Sequence, residues 1–295
     1  MPLINADEQC MRDSDPPPIK YEQYVTKAGK QGRCNLCGSF GPLTEDHVPP
    51  KCCVPAKPAR YAGVLQRDQR NKRLFKGTPV QNGFSYRTLC STCNNTVLGG
   101  NNDNALGEMA QQVRHLIEMP FYIPAASTIR IKPQRVARSV LGHLMAIGID
   151  RYDCGPVGEA IRNFVLGKQA SPPPKMRLSY WVYKGNERVL IRDAGLGLLG
   201  TGRSIFFWEL KFFPLAFVMT WDDDIGFKRE LGIRNFDAYR DLTEDEEADV
   251  QIDLHPIPHP FLPELPTGHI AVMYGQDAIV VLDSRPIGTE IKLRG

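Results

Sequence analysis

The sequence predicts an α+β protein in which a small, metal-stapled cysteine module precedes a mixed helical and antiparallel-sheet domain. Three observations predict this class: two C-x-x-C pairs among many glycines and prolines, apolar residues at helical spacing after residue 104, and β-branched and aromatic segments from about residue 176. The length of 295 residues is enough for about two compact units with a sizeable core. We expect four parts: a polar arm (1–30), the cysteine module (31–104), a helical segment (105–170) and a mainly β domain (171–295).

The composition is that of an ordinary globular protein. Hydrophobic residues make up 42% and charged residues 23% of the chain, which argues against disorder. The longest mainly apolar runs, such as 212–219, are too short to cross a bilayer. The first residues lack a basic start followed by an apolar block, so we expect a cytoplasmic protein with no secretion signal and no membrane partner.

The cysteines are grouped in a way that favours a metal over disulfides. In a reducing compartment, paired spacing is typical of metal ligands, and two short knuckles can direct four sulfurs at one tetrahedral zinc ion. The two knuckles are separated by 52 residues. Adjacent Cys52 and Cys53 are alternative ligands without knuckle geometry, while Cys10 and Cys154 stand alone. The predicted structural zinc ligands are Cys34, Cys37, Cys90 and Cys93.

The helices are predicted from apolar spacing. Residues 104–119 place apolar side chains three and four positions apart. Residues 133–149 do the same behind Pro133, with Arg135 and Arg138 away from the apolar stripe. A third, shorter helix is expected in 155–168.

The strands are predicted from β-branched and aromatic residues in 176–193, 204–221 and 269–284. The first and last of these segments contain turn sequences, "KGNE" and "GQDA", between extended runs. We therefore expect both to form hairpins.

Positive charge is concentrated around the cysteine module. Residues 27–90 hold twelve Lys or Arg against three acids, a local excess of +9 in a chain whose net charge is +3. Such an excess indicates a surface for a polyanion, and the alternative is a solvated basic face. The long loop 48–89 is expected to be an insertion that contacts backbone phosphate. The candidate phosphate contacts are Lys51, Arg70, Lys72, Arg73 and Arg87.

Three residues beside the knuckles suggest chemistry. Asp46 and Asn94 offer oxygens suited to Mg²⁺ or Mn²⁺, and His47 can take a proton from water near neutral pH. In isolation, an Asp-His pair is more typical of a surface pair or a helix cap. His115 and His143 lie on helical patterns and are expected to be packing or surface residues. A second metal site at His255, His259 and His269 is a weaker alternative.

The order C-x-x-C, Asp-His, C-x-x-C-Asn resembles the HNH, or ββα-metal, nucleases of the zinc-bearing kind. The resemblance implies that His47 is the general base, that Asp46 and Asn94 hold a catalytic Mg²⁺ or Mn²⁺, and that the four paired cysteines hold a structural zinc. It covers about 31–104. The chain departs from the family where an Asn that orients the catalytic His would precede the second knuckle, and Asn95 competes with Asn94.

The resulting hypothesis is a metal-dependent endonuclease that hydrolyses phosphodiester bonds in double-stranded DNA. The C-terminal domain is expected to recruit substrate, bind a protein partner, form a homo-oligomer or sense a signal. The alternative is a non-catalytic, zinc-stabilised nucleic-acid-binding protein in which Asp46 and His47 are structural. A third interpretation is the effector of an anti-phage system, gated by the C-terminal domain.

Overall fold

The computed structural model describes residues 24–66, 77–119, 124–153, 155–198, 200–222, 233–254, 261–264 and 270–283. It contains both helices and antiparallel strands, which confirms the α+β class. The helices are α1 (Asn101–Ile117), α2 (Pro133–Ala146) and α3 (Gly155–Val165). The strands are β1 (Gln31–Arg33), β2 (Phe40–His47), β3 (Ala59–Gly63), β4 (Thr78–Val80), β5 (Ser85–Cys90), β6 (Ala126–Ile131), β7 (Met176–Val182), β8 (Glu187–Leu198), β9 (Arg203–Phe212), β10 (Leu215–Trp221), β11 (Arg234–Asn235), β12 (Ala248–Asp253) and β13 (Ile270–Asp283).

All three predicted helices are present, and α2 lies at the centre of the fold. Each of its fourteen residues is buried. The helix begins at Pro133, whose fixed φ suits a first helical position. Arg135 and Arg138 lie away from the apolar stripe but are also buried. Arg135 pairs with Glu244 and Asp245, and Arg138 donates to the backbone carbonyls of residues 169 and 170.

A small sheet in the order β1-β2-β5 carries the two cysteine pairs. The first pair follows β1, and the second begins at the end of β5. A wide, π-helical segment, Thr92–Leu98, follows β5 and leads into α1. The first pair thus lies in the turn after β1, and the second pair joins the end of β5 to the start of the π-helical segment.

The larger sheet has eight strands among the described residues, in the order β11-β7-β10-β9-β8-β13-β3-β4. Every neighbouring pair is antiparallel. Strands β3 and β4 come from the cysteine module, yet β3 pairs with β13 near the end of the chain. The sheet therefore crosses the predicted boundary between the cysteine module and the domain that follows.

The loop 48–89, predicted to be an insertion, contributes strands to the larger sheet. Its described part supplies β3 and β4, and Tyr61 and Ala62 of β3 are buried. Burial of these side chains favours a strand that pairs with the sheet over a loop that extends into solvent. The basic residues Arg70, Lys72 and Arg73 of this loop lie outside the described residues.

The hairpin predicted in 176–193 is wrong. Strands β7 and β8 flank the turn, but β7 pairs with β10, and β8 pairs with β9 and β13. The order β7-β10-β9-β8 is a Greek key, in which a first strand lies beside the fourth. Pairing of β7 with the apolar β10 buries both strands. The sequence of the turn after β7 does not determine this choice of partner.

The hairpin predicted in 269–284 is also wrong. Strand β13 runs without reversal from Ile270 to Asp283, with a bulge between Tyr274 and Asp277. Gly275 lies in this bulge, where a Cβ atom would be 2.8 Å from the carbonyl oxygen of Asp193. Because β8 offers a partner along almost the whole length of β13, the glycine produces a bulge instead of a turn.

Candidate functional site

The four paired cysteines form one cluster. Their sulfur atoms all lie within 4.8 Å of one another, and this group can hold a metal ion such as zinc. The first knuckle turns at Gly38, whose φ of +79° is favourable for glycine and whose amide donates to the Cys34 carbonyl at 2.9 Å. Within the described ranges, no other group of three or more His, Cys, Asp or Glu side chains comes this close together.

The cluster is partly shielded from solvent and is rich in thiol hydrogen bonds. Cys34 and Cys93 are buried, whereas Cys37 and Cys90 are partly exposed and their sulfurs lie 3.7 Å apart. A hydrogen bond from Cys93 lowers the pKa of the Cys34 thiol to about 4 despite its burial. The cluster therefore contains a thiolate, the form of cysteine that binds metals, at neutral pH.

Cys52 and Cys53 are not members of this cluster. The Cys52 sulfur lies 3.2 Å from the carbonyl oxygen of Asp103 and 3.9 Å from the Cys53 sulfur. Burial raises the pKa of Cys53 well above its usual value, so it is held as a thiol. Cys10 and Cys154 lie outside the described residues, as do His255, His259 and His269.

His47 ends strand β2 with its ring partly exposed. Its Nε2 atom lies 2.8 Å from the carbonyl oxygen of Asn82. A carbonyl only accepts hydrogen bonds, so Nε2 carries the proton and Nδ1 is the basic nitrogen of the neutral ring. Gly83 follows with a φ of +78°, and a Cβ atom there would be 3.2 Å from His47 Cδ2. A backbone carbonyl thus orients the His47 ring.

Asn94 lies in the π-helical segment directly after Cys93 and contacts strand β2. Its Nδ2 atom donates to Thr44 Oγ1 at 3.0 Å and to the Glu45 carbonyl at 3.1 Å. Its Oδ1 atom accepts no hydrogen bond within the described part of the chain. The competitor Asn95 is exposed and donates to Ser91 instead. Of the two asparagines, Asn94 is therefore the one beside the Asp-His strand.

Asp46 points the other way from His47, into the protein, and is only 3% exposed. Its Oδ2 atom lies 3.0 Å from Nδ1 of His143 on α2. The second ring nitrogen of His143 lies 2.9 Å from Asp103 Oδ1, which also accepts a hydrogen bond from Ser139 at 2.6 Å. We call Asp46, His143 and Asp103 the buried triad.

Electrostatics in the buried triad favour a charged ring. Burial alone would lower the pKa of His143, but the carboxylates of Asp46 and Asp103 outweigh it and raise that pKa well above its ordinary value. Burial would raise the pKa of Asp103, and the His143 charge reverses this so that the pKa is lowered. The two neighbouring carboxyl groups therefore favour the charged form of the His143 ring.

Of the candidate phosphate contacts, Lys51 and Arg87 lie among the described residues, and they differ in whether an ion pair already engages them. Lys51 is exposed, four residues after His47, and forms no ion pair with any described residue. Arg87 donates to Glu45 at 2.7 Å, and Lys27 binds the same carboxylate at 2.9 Å. Arg87 is thus committed to an ion pair at the strand end, while Lys51 points to solvent.

Sequence reasoning missed His143 and Asp103 as parts of this arrangement. His143 was expected to be a packing or surface residue, and it is a fully buried partner of Asp46. The available signal was the polar pair Ser139 and His143, four residues apart and therefore on one face of the helix. Asp103 carries no local signal beyond its place in the first turn of α1.

Comparisons with family models, with curated proteins and with solved structures found no match to this chain. Among the described residues, no helix has both the length and the apolar character needed to span a membrane.

Proposed function

We propose that the chain is an HNH-type, metal-dependent endonuclease that hydrolyses phosphodiester bonds in DNA. The observation that carries this proposal is the placement of His47. Its Nε2 atom is fixed on the Asn82 carbonyl, its Nδ1 atom is left basic, and it ends the strand that Asn94 contacts. A histidine held in one tautomer beside oxygen ligands is suited to general-base catalysis.

Asp46 and Asn94 would hold the catalytic ion, and their oxygens are suited to one. Asp46 Oδ1 and Asn94 Oδ1 make no hydrogen bond with any described residue, because the contacts of both side chains go through their other polar atoms. Carboxylate and amide oxygens are ligands that Mg²⁺ and Mn²⁺ favour. When bound, the ion supplies positive charge that stabilises the charge building on the scissile phosphate.

The protein's own part in the reaction is proton transfer and positioning. His47 Nδ1 takes a proton from water, the water oxygen bonds to phosphorus, and the bond from phosphorus to the 3′ oxygen breaks. The 3′ oxygen takes a proton from solvent, which leaves a 3′-hydroxyl and a 5′-phosphate. Exposed Lys51, four residues after His47, would contact the phosphate backbone.

Zinc on the cysteine cluster would serve the site without taking part in the reaction. Four sulfur ligands leave no open position for substrate, as is typical of structural zinc. An ion bound by Cys93 would hold the π-helical segment in place beside β2, which Asn94 already contacts. A reduced cysteine cluster suits a cytoplasmic location.

The first experiment is plasmid nicking in Mg²⁺ or Mn²⁺ by the wild type and by His47→Ala. Because general-base catalysis contributes about 100- to 10,000-fold, we expect the variant to lose at least about 100-fold in rate. His115→Ala, at an exposed position of α1, is the matched control and should nick like the wild type. If the wild type nicks and His47→Ala nicks at the same rate, His47 is not the general base.

A second candidate function is a zinc-stabilised nucleic-acid-binding protein without catalysis. The observation that favours it is the burial of Asp46, whose Oδ2 atom is already bound to His143. The discriminating result is DNA binding by both wild type and His47→Ala without nicking by either in any divalent metal. RNA of the same sequence in the same assays tests the choice of DNA.

A further inference from the structure

His143 contacts Asp46 from outside the cysteine module. The ring lies between two carboxylates, 3.0 Å from Asp46 Oδ2 and 2.9 Å from Asp103 Oδ1. Both ring nitrogens of His143 are thus engaged by carboxyl oxygens, one on each side of the ring. Asp46 therefore has one oxygen fixed by α2, and only the other is left to face the proposed ion.

The helix that carries His143 is itself tied to the cysteine cluster. Asn35, inside the first knuckle, donates its Nδ2 atom to the carbonyl oxygens of Met145 and Gly148. Thr88 on β5 donates to the Ala146 carbonyl at 2.6 Å. These contacts satisfy carbonyls at the end of α2 that have no partner inside the helix. The distance from the knuckle to the His143 ring is thereby set by direct hydrogen bonds.

Resting on the function proposed above, we propose that His143 is a positioning residue that aims the free oxygen of Asp46 at the catalytic metal, with Asp103 holding the ring. Hydrogen bonds that orient a ligating carboxylate usually change metal affinity or activity by about 10- to 100-fold when removed. Helix α2 then contributes to the site by fixing the orientation of the Asp46 side chain. Without this helix, the cysteine module would leave that side chain free to rotate.

Two substitutions separate positioning from packing. The side-chain amide of His143→Asn reaches about as far as Nδ1 and can still donate to Asp46. The longer His143→Gln places its amide near the position of Nε2, where it can bond Asp103 but not Asp46. The readouts are Mn²⁺ affinity by paramagnetic resonance titration of the zinc-loaded full chain, nicking rate, and thermal unfolding.

We expect His143→Gln to weaken Mn²⁺ binding by about 10- to 100-fold, with a parallel loss of nicking. His143→Asn, which keeps the bond to Asp46, should lose clearly less than His143→Gln in both measurements. Equal Mn²⁺ affinity in the two variants, or the reverse order, would overturn the proposal. A merely structural role would lower the unfolding temperature of both variants without separating their metal affinities.

If neither His143 variant folds, Asp103→Asn tests whether His143 positions Asp46. Its side chain is 13% exposed, and the substitution keeps its shape while it removes the charge that holds the ring. Weaker Mn²⁺ binding supports positioning, and unchanged binding overturns it. Failure of the proposed function is distinguishable, because then the wild type itself neither binds Mn²⁺ nor nicks DNA.

Discussion

Asn94 donates its side-chain amide to the carbonyl oxygen of Glu45 at 3.1 Å, which joins the helix of the second cysteine pair to the strand that ends in Asp46 and His47. The two partners are far apart in sequence, and this bond holds the amide of Asn94 against the backbone of the strand that carries Asp46 and His47. The proposed nuclease site depends on it.

Asn94→Ala tests that contact. The variant loses two hydrogen bonds, each worth about 0.5–1.5 kcal/mol, together with the proposed ligand oxygen. We expect a loss of about 1–3 kcal/mol in the free energy of unfolding and a large fall in nicking. Asn95→Ala, which loses only the bond to Ser91, is the control for both measurements. Equal nicking by the two variants would argue against Asn94 as a ligand.

Gly83→Ala tests the orientation of His47. An added Cβ atom would lie 3.1 Å from Ala56 Cα and 3.2 Å from His47 Cδ2, so the ring is expected to move. The control is Gly202→Ala, where φ is also positive and no atom lies within 4 Å. Both variants should lose about 1 kcal/mol of stability to backbone strain, and only Gly83→Ala should nick more slowly. A slow Gly202 variant would show that strain alone accounts for the effect.

Cys93→Ser tests the cysteine cluster. The buried sulfur is one of the four that lie within 4.8 Å of one another, so its loss should remove bound zinc and lower the unfolding temperature. Zinc content by elemental analysis and thermal unfolding are the measurements. Cys52→Ser, outside the cluster, should keep one zinc per chain. Zinc lost from the Cys52 variant and kept by the Cys93 variant would mean that the ligands are misassigned.

Glu209, in the larger sheet, is expected to make the free energy of unfolding depend on pH. The residue is fully buried on β9, where Lys211 lies 3.2 Å from its Oε1 atom and also donates to Glu264. Burial and then the Glu264 charge raise the pKa of Glu209 well above its ordinary value. The folded state therefore holds a proton that the unfolded state releases, and stability falls as pH rises above the unfolded-state value.

The measurement is chemical unfolding from pH 5 to pH 9 of the wild type and Glu209→Gln. The wild type should lose up to about 1.4 kcal/mol per pH unit relative to the variant, until pH passes the folded-state pKa. Glu159→Gln, at an exposed position of α3, should follow the wild type. Parallel curves for the wild type and Glu209→Gln would show that Glu209 is ionised in the folded protein.

Local patterns predicted local structure well. The helices appear where apolar residues recur at helical spacing, and α2 starts at Pro133 as expected. The four cysteines of the two knuckles form a cluster, because a knuckle turn is set by a few neighbouring residues. The two predicted hairpins failed because strand pairing depends on which distant strand offers a partner.

Local sequence patterns are enough to predict the α+β class, the helices, the grouping of cysteines that can hold a metal, and the Asp-His strand as a candidate site. Three features become visible only in the folded chain: the Asn82 carbonyl orients His47, β3 and β4 join the larger sheet, and His143 lies against Asp46. No local pattern predicts them, because these contacts join residues that are distant in the chain. They form because burial of α2 and of the sheet brings polar groups together, where each must find a hydrogen-bond partner.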